Sequence, residues 1–313
     1  MARAPFPPGS HRSGPPIGGG QGARSLLRAH PTYPEWLRRI PDPPPVLTVR
    51  GDPAVLCRPS IAVVGSRAAT AYGVRIARGL ARDLAAQGFV VVSGLALGID
   101  AAAHQGALEA GGATVAVFAS GLDRVHPARH RRLAERIAAA GGALVSEFPP
   151  GTPPLRRHFP RRNRLISGLS RAVVVVEARL RSGSLITAHH ALEQGREVLA
   201  VPGPVDAPTS AGTNDLLRHG AAPAIDADDV RRVLGLPPPS AGRGPSAGVP
   251  PGPGGLAGRL LEALRREPAS ADELARRTGR SPGDLALPLL ELELGGHIET
   301  GRDGRLRAAP GRG

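Results

Sequence analysis

Three segments place glycine, hydroxyl or arginine where an apolar run gives way to a helix. Gly65-Ser66-Arg67 follows the run 61–64, Ser93-Gly94 follows 89–92, and Ser182-Gly183-Ser184-Leu185-Ile186-Thr187 comes after 172–176. Glycine allows close backbone approach, N–H groups at a helix start point towards an anion, and arginine adds a bidentate fork. The chemistry these types suit is phosphate binding. Taken singly each has a plainer explanation. Gly65-Ser66-Arg67 lacks the second and third glycines of a dinucleotide fingerprint and reads equally as a strand-to-helix turn, and Ser182 or Ser184 reads as a helix cap. Two such turns on one rim are harder to explain by capping alone.

A fourth segment, Arg156-Arg157-His158-Phe159-Pro160-Arg161-Arg162-Asn163-Arg164, holds five arginines around one phenylalanine. Cations with an interleaved aromatic suit single-stranded nucleic acid, whose phosphates meet the arginines while a base stacks on the ring. A solvated basic helix start with Phe159 in the core is the alternative, and the neighbouring turns tip the balance towards binding. Catalytic groups do not cohere. His104, His126, His130, His158, His189 and His190 are scattered, and adjacent His189 and His190 face different sides of a helix. Asp100, Asp123, Glu147 and Glu177 fall at strand ends, where carboxylates also hold arginines and cap helices. The chain contains no lysine, so hydrolysis through a P-loop lysine is excluded.

The elements that must position these residues are legible in the apolar pattern. Runs at 61–64, 89–92, 114–118, 143–145, 172–176 and 197–201 are continuous rather than alternating, as in strands covered on both faces. Helical-length stretches separate them, with Val74, Ala77, Leu80, Ala81 and Leu84 at helical spacing before Gly88. This predicts an α/β fold: an extended Rossmann-like, mostly parallel, doubly wound sheet over 61–235, with ligands bound outside the strands' carboxyl ends. Residues 1–30, rich in Gly, Pro and Arg, predict a disordered tail. Residues 31–60 form a lead-in, with Val46 to Arg50 as an edge strand on which Tyr33 and Trp36 pack. A Pro/Gly linker spans 236–254. Helices over 256–266, 270–278 and 281–294, the second opening on a Ser270/Glu273 capping box, precede a hairpin at 297–307, so 255–310 reads as a winged helix. Pro288 inside the third helix costs roughly 3 kcal/mol unless the helix kinks.

Forty basic residues against 26 acidic ones give a formal charge of +14, which favours a polyanionic partner. Cys57 is the single cysteine, excluding an internal disulfide and a Cys-rich metal site. No run approaches the roughly 20 apolar residues of a membrane span, and no signal core opens the chain, so a cytoplasmic protein is expected.

These residues carry a family likeness. Gly65-Ser66-Arg67, Ser93 to Asp100 with His104, Ser146-Glu147, Phe159 to Arg164, Ser182 to Ala188, Gly195 to Val198, Pro202-Gly203 and Gly212-Thr213-Asn214 together resemble the bacterial DNA-processing protein A family (DprA, also called Smf), over about residues 33–230. The resemblance implies a homodimeric single-stranded-DNA-binding recombination mediator that is not an enzyme, uses no cofactor, and loads RecA recombinase, serving natural transformation where that exists. Carried over by position, its DNA pocket uses Gly65, Ser66, Arg67, Arg156, Phe159, Asn163 and the Ser182–Thr187 loop, to which the arginine segment adds Arg161, Arg162 and Arg164. The chain departs from the family at Ala119, usually glycine, and His126, usually tyrosine. The amino-terminal helical domain of many members is expected to be missing or replaced by the tail.

Two rivals remain. A nucleoside-monophosphate phosphoribohydrolase of the lysine-decarboxylase-like type shares the fold, but its loop typically reads Pro-Gly-Gly followed by Gly-Thr. A duplex-DNA regulator would act through the winged helix.

Overall fold

A computed structural model describes residues 22–237, 255–294, 297–301 and 305–309. The chain divides into two compact units between Ser240 and Ala241.

In the first unit the strands are β1 (Ala23–Leu27), β2 (Val46–Gly51), β3 (Ser60–Val64), β4 (Val90–Ser93), β5 (Thr114–Val117), β6 (Ala143–Ser146), β7 (Ala172–Val175), β8 (Glu197–Ala200) and β9 (Ala222–Pro223). The helices are α1 (Glu35–Arg38), α2 (Ala71–Ala86), α3 (Ile99–Glu109), α4 (Arg131–Ala139), α5 (His158–Leu169), α6 (Gly183–Glu193), α7 (Ala211–Arg218) and α8 (Ala227–Val233). Every residue of β3 to β7 is buried, which is why those runs are continuously apolar. The sheet order is β1-β2-β6-β5-β4-β3-β7-β8-β9. From β6 to β9 all neighbours are parallel, whereas β2 runs antiparallel to both β6 and β1.

The chain winds outwards from β3 to β6 and then returns to β7 beside β3. Strand order therefore reverses between β3 and β7, and their carboxyl ends open the crevice where such sheets receive ligands. Helices cover both faces. Leu80, Leu84, Ile99 and Val230 from α2, α3 and α8 pack on Ile61, Val63, Val91 and Val174. Leu37, Leu165, Ile166 and Ala188 from α1, α5 and α6 pack on the other face against Val64, Val92 and Val173. Each fully buried leucine or valine side chain contributes about 1.5–3 kcal/mol relative to exposure.

Three expectations change. The tail does not extend to residue 30: Ala23–Leu27 pairs with β2 in register, Leu26 opposite Leu47, and Leu26 is buried, while residues 1–21 lie outside the described residues. Consequently β1, not β2, forms the edge. Tyr33 packs as expected, its hydroxyl donating to Pro44 O at 2.8 Å. Trp36 instead stands 39% exposed, with the guanidinium of Arg196 4.4 Å and that of Arg171 5.8 Å from its ring centroid.

The second unit contains α9 (Gly255–Arg266), α10 (Ala271–Thr278), α11 (Pro282–Leu294), β10 (Ile298–Thr300) and β11 (Leu306–Ala308), the last two antiparallel. Leu260, Leu264, Leu274, Leu285, Leu292 and Ile298 form its core. The Ser270/Glu273 capping box is present, and Pro288 lies inside α11. This is a winged helix. The turn at 302–304 and the linker residues 238–254 lie outside the described residues.

Candidate functional site

A cavity of about 620 Å³ opens at the carboxyl ends of β3 and β7. Its first wall is the β3–α2 loop, which brings Gly65, Ser66 and Arg67 to the rim. Gly65 is there for space: a Cβ would lie 2.7 Å from Ile99 Cγ1 and 2.9 Å from Glu177 O. The sequence places a helix start directly after Arg67, but α2 begins at Ala71, capped by Thr70, whose hydroxyl accepts from Gly73 N. The Ser66 N–H is already committed to Glu177 O at 2.7 Å, and its hydroxyl accepts from Ala68 N. This loop therefore offers an anion the exposed Arg67 guanidinium rather than a helix terminus.

The floor is built by Arg162, a lining residue only 3% exposed. It donates to Gly94 O at 2.7 Å, to Val117 O and to Asn163 Oδ1, tying the ends of β4 and β5 to α5. Gly94 has no side chain because a Cβ would run into that guanidinium. Asp100, also buried on the lining, accepts from Gly94 N at 3.1 Å and Ala96 N at 3.2 Å. Burial pushes the Asp100 carboxyl up, against the opposing pull of Arg162 and the two N–H donors. Burial likewise pushes Arg162 down to about 10, with Asp100 raising it and Arg67 lowering it, so it stays cationic at neutral pH. The Ser93-Gly94 turn is thus a seat for a buried cation.

Phe159 is half-buried on the lining, with Arg67 4.7 Å and Arg162 6.0 Å from its ring centroid and the His126 ring edge-on at 5.9 Å. The opposite wall is the start of α6, where Ser182 is the N-cap, accepting from Ser184 N, as capping predicts. Asn163 Nδ2 donates to Gly183 O at 3.1 Å and pins that turn to α5. Gly183, Ser184 and Thr187 line the cavity, as do the exposed Arg156 and Arg179. Arg179 was not among the sequence candidates; its signal is its place in the short loop between Glu177, at the end of β7, and the Ser182 cap.

Two candidates lie elsewhere. Arg164, its side chain 9% exposed, pairs with Glu147 at 2.5 Å and donates to Asp42 O. Arg161 reaches the same Glu147 at 3.2 Å and lies 5.6 Å from the Phe148 ring centroid. Both cations answer a carboxylate that is 2% exposed, and neither lines the cavity. Among possible acid–base groups, Glu177 accepts from Thr70 N and Oγ1, holding the α2 cap. His104 is fully buried: its Nδ1 lies 2.7 Å from Thr114 Oγ1, whose hydroxyl donates to Val91 O. Thr114 oxygen is therefore the acceptor and Nδ1 the protonated nitrogen. Burial, with His130 and Arg162 adding to it, drives His104 down to about 3, so it is a neutral packing residue.

Fold and site define a doubly wound Rossmann-type protein with an arginine-lined cavity at its switch point, joined to a winged-helix unit. Residues 24–235 match the family described as DNA recombination-mediator protein A, and residues 244–304 match the DprA winged helix domain. The chain belongs to this DNA-processing family, DprA/Smf. It is 44% identical over 284 residues to Protein Smf of Escherichia coli K12, covering 88% of this chain and 75% of that protein. A putative DNA processing protein DprA of Mycobacterium tuberculosis H37Rv is 47% identical over 262 residues, 80% of this chain and 65% of that one. Among solved structures, DNA processing protein A of Streptococcus pneumoniae aligns with a TM-score of 0.64 at 42% identity, over 68% of this chain and 74% of that one. That of Helicobacter pylori, described for its single-stranded DNA binding mode, aligns at 0.61 and 31% identity, over 68% and 95%. Among the described residues no helix is long and apolar enough to cross a membrane.

Proposed function

We propose that this protein binds single-stranded DNA in the 620 Å³ cavity, shields the strand, and loads RecA recombinase onto it as a cytoplasmic homodimer. It does so without a cofactor and without catalysing a reaction, and serves transformation where the host takes up DNA. One observation carries the reading: Arg67, Arg156, Arg162 and Arg179 converge with Phe159 on a lining that holds one carboxyl, Asp100. Guanidinium groups neutralise successive phosphates, which makes affinity fall with salt. A base on Phe159 adds roughly 1–3 kcal/mol. The single-strand binding of the Helicobacter pylori relative supports the same use of the fold. RecA loading and dimerisation rest on the family likeness.

The winged helix is a poor candidate for groove reading, because residues 282–294 contain three acidic side chains, Asp284, Glu291 and Glu293, and no basic one. Fluorescence anisotropy of labelled oligo-dT and a matched duplex tests the division of labour. Preference for the single strand, kept after deletion of residues beyond Gly254, is expected. Duplex preference that disappears with the deletion would move binding to the winged helix. Release of free base from nucleoside monophosphates would instead establish the hydrolase.

A further inference from the structure

A second cavity, of about 560 Å³, lies on the other flank of the β3–α2 loop. The two share that loop and the end of β7: Gly65 to Ala68 line the first, Thr70 and Tyr72 the second, and Glu177, whose carbonyl holds Ser66, turns its carboxylate to the second. Their chemistry is opposite. The first is lined by four arginines; the second has no basic residue on its lining, and its charged group is Glu177, 3% exposed. Such a lining rejects phosphate.

It suits a flat, uncharged ring that donates hydrogen bonds. Tyr72 offers an aromatic ring 38% exposed, with the Arg75 guanidinium 5.4 Å from its centroid. The prolines Pro202 and Pro204 supply an apolar wall held in place by Asn214, which donates to Gly203 O at 3.0 Å and accepts from Gly203 N at 3.2 Å. With Gly203 satisfied in both directions, the Glu177 carboxylate is the charged acceptor on the lining. One position on each of its oxygens is taken, Oε2 by Thr70 N at 2.9 Å and Oε1 by Thr70 Oγ1 at 2.5 Å. Each oxygen keeps a further acceptor position.

We infer that this second cavity is a base-selective subsite, in which a nucleobase of the strand lies against Tyr72 and donates its exocyclic amino group to Glu177. The inference rests on the single-strand reading of the first cavity. Cytosine presents an amino donor at the edge where thymine presents a carbonyl acceptor, so the subsite discriminates between them. The Arg67 side holds the phosphates while the Tyr72 side reads one base, giving a partial sequence preference to a protein whose affinity is otherwise electrostatic.

Anisotropy titrations of labelled oligo-dC and oligo-dT 12-mers at one salt concentration and pH 7.5 test it. Wild type is expected to bind oligo-dC about tenfold or more tighter, the lower end of the range for a hydrogen bond to a charged group. Glu177→Gln keeps an oxygen for Thr70 N and turns its amide donor to the Thr70 hydroxyl and the cavity, so it should erase or invert the preference. Tyr72→Leu should weaken both oligomers by roughly fivefold or more, as loss of one stacked base does, and Tyr72→Phe should not. Equal wild-type affinities that ignore both the Gln and Leu variants, while Arg67→Ala still weakens binding, overturn the subsite alone. No binding of either oligomer to wild type overturns the first cavity's reading as well.

Discussion

Arg164 and Arg161 of α5 meet at Glu147, a carboxylate 2% exposed. Arg162, on the same helix, faces a cavity that it shares with Arg67, Arg156, Arg179 and a single carboxyl, Asp100. In sequence Arg156, Arg161, Arg162 and Arg164 belong to one basic stretch; in space they fall into two regions of different charge balance. At Glu147 each cation answers an acid, and the cluster fastens α5 to the end of β6 and to the lead-in at Asp42. In the cavity, cations outnumber acids, and on the proposed reading that surplus charge meets the phosphate chain. The lesson is that counting arginines says little about binding until each has been matched with its carboxylate.

The largest effect expected from disturbing either region is structural. Arg164→Ala leaves the buried Glu147 with only the exposed Arg161, a loss of about 3–5 kcal/mol by the usual cost of breaking a buried pair. Urea unfolding followed by the fluorescence of Trp36, the single tryptophan, should show it, while oligo-dT affinity of the folded protein stays as in wild type. Unchanged stability would dissolve the distinction between the regions.

Next comes acid. His104 behind the sheet titrates at about 3 when folded and at 6.5 when free, so the unfolded chain holds the extra proton between those values. Stability is therefore complete above 6.5 and drains as pH falls towards 3, by about 2 kcal/mol between pH 7 and pH 5. His104→Asn should flatten that slope, and a slope that persists would assign it to other groups. A smaller effect, on the order of tenfold in affinity or about 1.4 kcal/mol, is expected for Arg67→Ala, with stability unchanged. Smallest is Arg161→Ala, an exposed partner worth roughly 0–1 kcal/mol of stability and nothing in binding.

The sheet was legible because β3 to β7 are buried on both faces and so write themselves as unbroken apolar runs. Strand β1 was not, since of Ala23–Leu27 only Leu26 is buried and the pairing depends on β2 being already in place. Similarly, residue types suggested an anion site, but could not say which way each side chain faces. Glu147 lies 17 residues from Arg164, and nothing local to either shows that they pair. The role of Gly94 as a gap for a guanidinium, and that of Arg179 on the rim, also appear only once distant segments meet.

The most direct test of the division between free and answered arginines is the salt dependence of oligo-dT binding for wild type, Arg67→Ala, Arg179→Ala and Arg161→Ala. Each cavity arginine that meets a phosphate should lower the slope of log affinity against log salt by roughly 0.7, the single-strand value per neutralised phosphate, and Arg161→Ala should leave it unchanged. A slope that drops for Arg161→Ala but holds for Arg67→Ala and Arg179→Ala would contradict the account.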